Sequence, residues 1–134
     1  MPRQQRAVID TNILIFDTFE DAEHHAEASS LLDSLMEWII PSLVIHEYVW
    51  ALRGLGLSFR EAREKTLEYL LDAKTTLVRV ELEDMLYSLR RSTNFQDYND
   101  LVILSTAQRT VKVLATYDQE LRRRALSVGM QVLP

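Results

Sequence analysis

Short apolar runs alternate with longer stretches in which apolar positions recur every three or four residues, and this alternation runs the length of the chain. Residues 7–9, Ala-Val-Ile, form a β-prone run that stops at Asp10-Thr11-Asn12, a sequence suited to a turn or a helix cap. Apolar character returns over residues 13–16. Between residues 21 and 36, Ala22, Ala26, Leu31, Leu32 and Leu35 close on a helical period and predict an amphipathic helix. A second apolar run at residues 38–40 ends at Pro41-Ser42, where Ser42 is placed to cap a helix that Gly54 and Gly56 then end.

Residues 58–71 open with a Ser-x-x-Glu capping box (Ser58, Glu61) and continue as a helix, and the β-branched residues 75–80 predict a third strand. Helices over 82–91 and 98–109 flank a loop at 94–97. A fourth strand over 111–116, a helix over 119–127 stopped by Gly129 and a short strand over 130–133 complete the order. Short strands apolar on both faces, alternating with helices, call for an α/β fold: a parallel sheet of four to five strands covered by helices on both sides, in a single domain over residues 1–134.

Composition narrows the chemistry more than the fold. The 134 residues are 47% apolar and 26% charged, which suits a globular domain with a core. No apolar run reaches the roughly 20 residues of a membrane span, and residues 1–6 lack the apolar stretch of a leader, so the expected location is cytoplasmic. With no cysteine and three histidines, disulfides and thiolate metal sites are excluded, and any metal has to sit on oxygen. The net charge of −5 argues against a protein that coats nucleic acid. That charge is unevenly spread, with two arginines against nine acids in residues 1–50 and 13 bases against 11 acids in the remainder.

In open parallel sheets, ligands bind beyond the carboxyl ends of the strands, and the residues at those places are acidic here. Asp10 follows the first predicted strand, Asp118 the fourth, and Asp97 and Asp100 stand at the start of the helix that leads into the fourth. Asp10 and Asp118 could each cap a helix, as could Asp97 or Asp100. Glu47 fits a structural role less well, because it lies among Val44, Ile45, Tyr48 and Val49, where a carboxylate is costly to bury unless paired or metal-bound. Several acids at adjacent strand ends repel one another unless a cation lies between them. Oxygen ligands favour Mg²⁺ or Mn²⁺, and such ions activate water and support in-line displacement at a phosphodiester.

Four ordered segments carry a family resemblance: Val8-Ile9-Asp10-Thr11-Asn12, Ile40-Pro41-Ser42 through His46-Glu47, Asp97-Tyr98-Asn99-Asp100-Leu101, and Leu114-Ala115-Thr116-Tyr117-Asp118. Together they resemble the PIN-domain nucleases, and more narrowly the VapC-type toxins of prokaryotic toxin–antitoxin pairs. The resemblance implies a PIN-like three-layer α/β/α fold and an Mg²⁺- or Mn²⁺-dependent endoribonuclease. It makes Asp10, Glu47, Asp100 and Asp118 the catalytic, metal-binding acids, with Asp97 as an assisting ligand or a helix cap. Asn12 would orient Asp10, and Thr116 occupies the family's hydroxyl position. For Glu23-His24-His25-Ala26 a helix-surface role is expected over a metal role. The implied partners are an RNA substrate, a small antitoxin and a second copy of the chain.

Positive charge for RNA is available at Arg90-Arg91, Arg109 and Arg122-Arg123-Arg124, although three consecutive arginines also suit the last turn of a helix. Phe95, Tyr98 and Tyr117 lie near the acids and could stack on unpaired bases or pack at the core edge. The helices after Ser42 and Ser58 carry Tyr48, Trp50, Leu52, Leu55, Phe59 and Leu67, more apolar surface than a crossover needs, which points to a dimer or antitoxin surface there. If all five acids share a pocket, two divalent ions would offset roughly four of their charges. Other readings are a PIN nuclease of RNA processing without an antitoxin, a PIN-like module that binds RNA without cutting it, and a phospho-acceptor receiver domain. The last would need an acidic partner beside Asp10 and a lysine after the fourth strand, and the chain has neither.

Overall fold

The computed structural model describes residues 5–134. Residues 1–4, on which the expectation of no leader partly rests, lie outside the described residues. The elements run β1 (Arg6–Ile9), α1 (Thr11–Thr18), α2 (His25–Ser34), β2 (Glu37–Pro41), α3 (Ser42–Gly54), α4 (Phe59–Leu70), β3 (Thr75–Val78), α5 (Leu82–Arg91), α6 (Phe95–Gln108), β4 (Val113–Ala115), α7 (Gln119–Ser127) and β5 (Gln131–Leu133). All four strand pairings are parallel, in the order β3-β2-β1-β4-β5.

That order explains the three layers. Right-handed crossovers leading outward from β1 to β2 and β3 put α1–α4 on one face, and those leading the other way through β4 to β5 put α5–α7 on the opposite face. The contacts agree, since α1 packs on α2 and α3, α3 on α4, and α6 on both α5 and α7. Covered on both sides, the central strands bury nearly all their apolar residues: Val8, Ile9, Ile40, Leu114 and Ala115 are inaccessible, and Val113 at the start of β4 is partly buried. The edge strand β3 departs from the expected two-sided burial, with Thr76 and Leu77 exposed.

Several boundaries differ from expectation for identifiable reasons. Residues 11–18 are helical although their apolar residues run together without a helical period, because both the sheet side (Ile13, Leu14) and the neighbouring helices take up side chains there. The first long helix is shorter than residues 21–36, because turns closed by Ala22 N–H to Phe19 O and His25 N–H to Ala22 O precede it. Ser42 does not cap α3. Its hydroxyl accepts from Val80 N at 3.1 Å, tying the end of β3 to the helix, and Pro41 holds the cap position. Residues 95–97 are not loop: Asn94 Oδ1 accepts from Asp97 N at 3.0 Å, so α6 starts a turn early. Strand β4 starts at Val113 because Lys112 adopts φ 58°.

Helix α5 is turned inside out. Asp84 and Ser88 face the interior, while Leu82 and Leu89 are exposed and Met85 and Leu86 partly so. Asp84 accepts from Ser105 Oγ at 2.8 Å and from Arg109 Nη2 at 2.8 Å, and Arg109 also donates to Arg79 O at 2.8 Å. Burial opposes ionisation of Asp84, and its bonds from Arg109, the Glu81 amide and Ser105 together outweigh burial and hold the carboxyl below its ordinary range. Among the described residues no helix is long and apolar enough to cross a membrane.

Candidate functional site

The direction of strand order reverses between β1 and β4, which pair through Val8↔Leu114 and Ile9↔Ala115. Side by side at that switch point, the chain leaves β1 at Asp10 and β4 at Thr116. Asp10 N–H donates to Ala115 O at 3.0 Å, and Thr116 Oγ1 donates to Asp10 Oδ2 at 2.6 Å. Thr11 N donates to Asp10 Oδ1 at 2.8 Å, so the same carboxylate caps α1. Asn12 completes the frame: its amide nitrogen lies 3.3 Å from Asp10 Oδ2, and its Oδ1 accepts from Tyr117 N at 3.0 Å. Thr116 Oγ1 accepts in turn from Asp118 N at 3.0 Å, and Asp118 Oδ1 caps α7 through Leu121 N at 2.8 Å. Capping and membership of the cluster coexist in Asp10 and Asp118.

Glu47 reaches this place from α3. Its Oε1 accepts from Thr11 Oγ1 at 2.5 Å and its Oε2 from Asn99 Nδ2 at 3.0 Å, so one helix on each face of the sheet holds the carboxylate. Asp100 lies on α6 one residue after Asn99, half-buried, with no hydrogen bond to its carboxylate among the described residues. The electrostatics show the four acids sharing one field. Asp10 is pushed up to about 6, first by burial and further by Glu47 and Asp118, against the bonds from Thr116 and Thr11. Asp100 is pushed up to about 7, first by burial and then by the charges of Asp10, Asp118 and Glu47, with Arg124 opposing.

Asp97 stands apart from this group. It accepts from Thr93 N at 3.3 Å and pairs with Arg124 Nη2 at 3.2 Å, and the Thr93 amide, with Arg124 behind it, keeps its carboxyl low. Four of the five acids named from sequence therefore share the site. The arginines divide similarly. Arg90 and Arg91 are exposed, Arg91 lying over the Tyr87 ring at 3.8 Å. Arg122 is spent on backbone carbonyls, donating to Thr116 O at 2.8 Å and Leu133 O at 3.1 Å. Arg123 pairs with Glu120, and Arg124 bridges Asp97 and Glu120. Tyr117 is packed rather than open, stacked on His24 at 4.3 Å with its hydroxyl donating to Glu27. His25 is tied to Phe16 O at 2.9 Å. Thr11 and Asn99, which position Glu47, were not singled out by sequence, because a polar residue in the first turns of a helix looks like solvated surface until its partner is known.

The donor set is oxygen alone and carries more negative charge than Arg124 offsets, which suits a hard divalent cation. Among the described residues no three acidic or histidine side chains converge tightly enough to enclose an ion by themselves. This is compatible with Mg²⁺, which takes one or two carboxylates and keeps water in its remaining positions.

A PIN domain sequence profile matches residues 7–126. The chain belongs to the PIN domain family. Among solved structures, this PIN domain is similar to the Mycobacterium tuberculosis toxin VapC20, a Sarcin-Ricin loop cleaving toxin, at a TM-score of 0.76 and 14% identity over 96% of this chain and 99% of the other. It is similar also to VapBC2 of Rickettsia felis, solved on a promoter DNA fragment, at 0.65 and 18% over 97% and 98% of the two chains. The PIN domain endonuclease Utp24 aligns at 0.55 and 20% over 96% and 84%. At these identities the likeness is one of fold. None of the curated proteins compared with the PIN domain matches it in sequence.

Proposed function

We propose that this PIN domain is an Mg²⁺- or Mn²⁺-dependent endoribonuclease and the toxin of a VapBC-type pair. The observation that carries the reading is the meeting of Asp10, Glu47, Asp100 and Asp118 at the switch point, with Asp100 left without a hydrogen-bonding partner among the described residues and pushed up to about 7. Asp10 and Asp100 would hold the ion, with Glu47 and Asp118 completing the acidic set. A divalent ion there supplies the positive charge that displacement at a phosphodiester requires. Thr116 and Asn12 fix the Asp10 carboxylate, and Thr11 and Asn99 fix Glu47, so the acids are aimed before substrate arrives.

The toxin reading draws support from the near-complete mutual coverage with VapC20 and VapBC2. The likeness to the endonuclease Utp24 supports the second reading, a PIN nuclease of RNA processing without an antitoxin. Exposed apolar surface for an antitoxin or a second copy lies on α3–α4 at Trp50, Leu55, Phe59 and Leu67, whereas Tyr48 and Leu52 are core, and a further apolar stripe runs along α5. Calorimetric titration of Mn²⁺ into wild type and Asp10→Asn, beside an RNA-cleavage assay, tests the centre. Wild type should bind the ion and cut RNA, Asp10→Asn should do neither while keeping its fold, and cleavage that persists in EDTA would sink the proposal.

A further inference from the structure

Where α5 ends and α6 begins, the structure has a cavity of about 690 Å³ with largely apolar walls that include Leu89, Phe95 and Tyr98. Phe95, the first residue of α6, is fully exposed, so its ring serves no core. Asn99 also lines the cavity, and its amide nitrogen is the group that holds Glu47 at 3.0 Å. One side chain is thus shared between the cavity wall and the carboxylate cluster. Asn94 lines the rim with its Oδ1 engaged by Asp97 N. Among the described residues, Asn94 Nδ2 and Asn99 Oδ1 make no hydrogen bond, which leaves one donor and one acceptor at the cavity. Arg90 and Arg91, both exposed, close α5 just before it.

We propose that this cavity is a subsite for one unpaired nucleobase of the RNA strand whose phosphodiester lies at the four carboxylates. This rests on the endoribonuclease reading and names what the substrate must present beside the cut. The chemistry favours a base over an aliphatic ligand: aromatic rings offer a face to stack on and amide groups meet a base edge. A base within a duplex has no free face to offer, so the subsite selects single-stranded or looped RNA.

The test uses the full chain carrying Asp100→Asn, which on the endoribonuclease reading binds RNA without cutting it. A short fluorescent single-stranded oligoribonucleotide is titrated with this protein, as is a series in which an abasic residue occupies each position in turn. One abasic position should weaken binding about tenfold, Phe95→Ala should weaken binding of the intact strand by about the same factor, and the two losses should not add. Phe95→Trp should restore binding, and because Phe95 is fully exposed its removal leaves the core untouched. Unchanged affinity in Phe95→Ala, or no binding of RNA by the parent, overturns the subsite. So does a Phe95→Ala protein that changes only from dimer to monomer in sedimentation, which would assign the corner to protein contact. A wild type that cuts no RNA with Mg²⁺ or Mn²⁺ yet keeps the abasic discrimination would remove the nuclease reading and leave the subsite standing.

Discussion

Asp10 and Asp100 are carboxyls whose proton the fold holds onto, at about 6 and about 7 against an ordinary value of 3.8. Below that ordinary value they are neutral in the folded and the unfolded chain alike, and they leave stability unchanged. As pH rises from there to the folded values, the unfolded chain releases its protons first, so each step favours unfolding. The metal-free protein should therefore melt at progressively lower temperature between about pH 4 and pH 7, with this contribution flat above that range. Asp100→Asn should shallow the slope, and Mn²⁺ should raise the melting temperature more at pH 8 than at pH 5, because protons and the ion compete for the same oxygens. Scanning calorimetry across pH checks both, and an Asp100→Asn slope as steep as wild type would remove this account. Asp10 and Asp118 were legible because each follows a strand, Glu47 because it stands among apolar residues of a helix, and Asp100 through the family segment that holds it. Thr11 and Asn99 were not, since their role exists only through Glu47, a residue on another helix.

At the level of elements, α5 shows how a helix can be held by its polar side. Asp84 is fully buried and is the common acceptor for Ser105 and Arg109 of α6 and its flank, so the pair α5–α6 is joined by charge rather than by leucine. Asp84→Ala should cost about 3 kcal/mol in urea unfolding, the low end for a broken buried pair because the abandoned Arg109 can rehydrate. A loss below about 1 kcal/mol would show that the apolar contacts of α6 alone secure the helix. The limits of α5, expected over residues 82–91, are those the structure has. The orientation of α5 was not legible, because the pattern marks an apolar face without saying whether the molecule or a partner covers it. Helix α1 was illegible for the opposite reason: an unbroken apolar run has no face to detect. Asn94 was the missed start of α6, a cap recognisable only once Asp97 N–H is seen to need it.

For the molecule as a whole, alternation of strand and helix made a parallel three-layer sheet legible, but nothing in one sequence orders the strands. The β3-β2-β1-β4-β5 order is what brings four distant acids together. Arg122 guards the far edge of that order, donating to Thr116 O, Leu133 O and Pro134 O and so tying β5 to the residue that holds Asp10. Arg122→Met should leave the fold intact while the Thr116 amide, bonded to Leu133 O, exchanges with solvent about tenfold faster. Unchanged exchange at Thr116 would show that the strand pairing needs no such tie.

The bond between Thr116 and Asp10 closes a loop of 106 residues, joining the residue after β1 to the residue after β4. Until β4 has left the ribosome and inserted beside β1, Asp10 lacks both its partner and its acidic neighbour Asp118. A chain made only as far as β3 thus holds no complete acidic cluster, which forms only once β4 and Asp118 are in place. Proteolysis that frees the last strand pair would take it apart again.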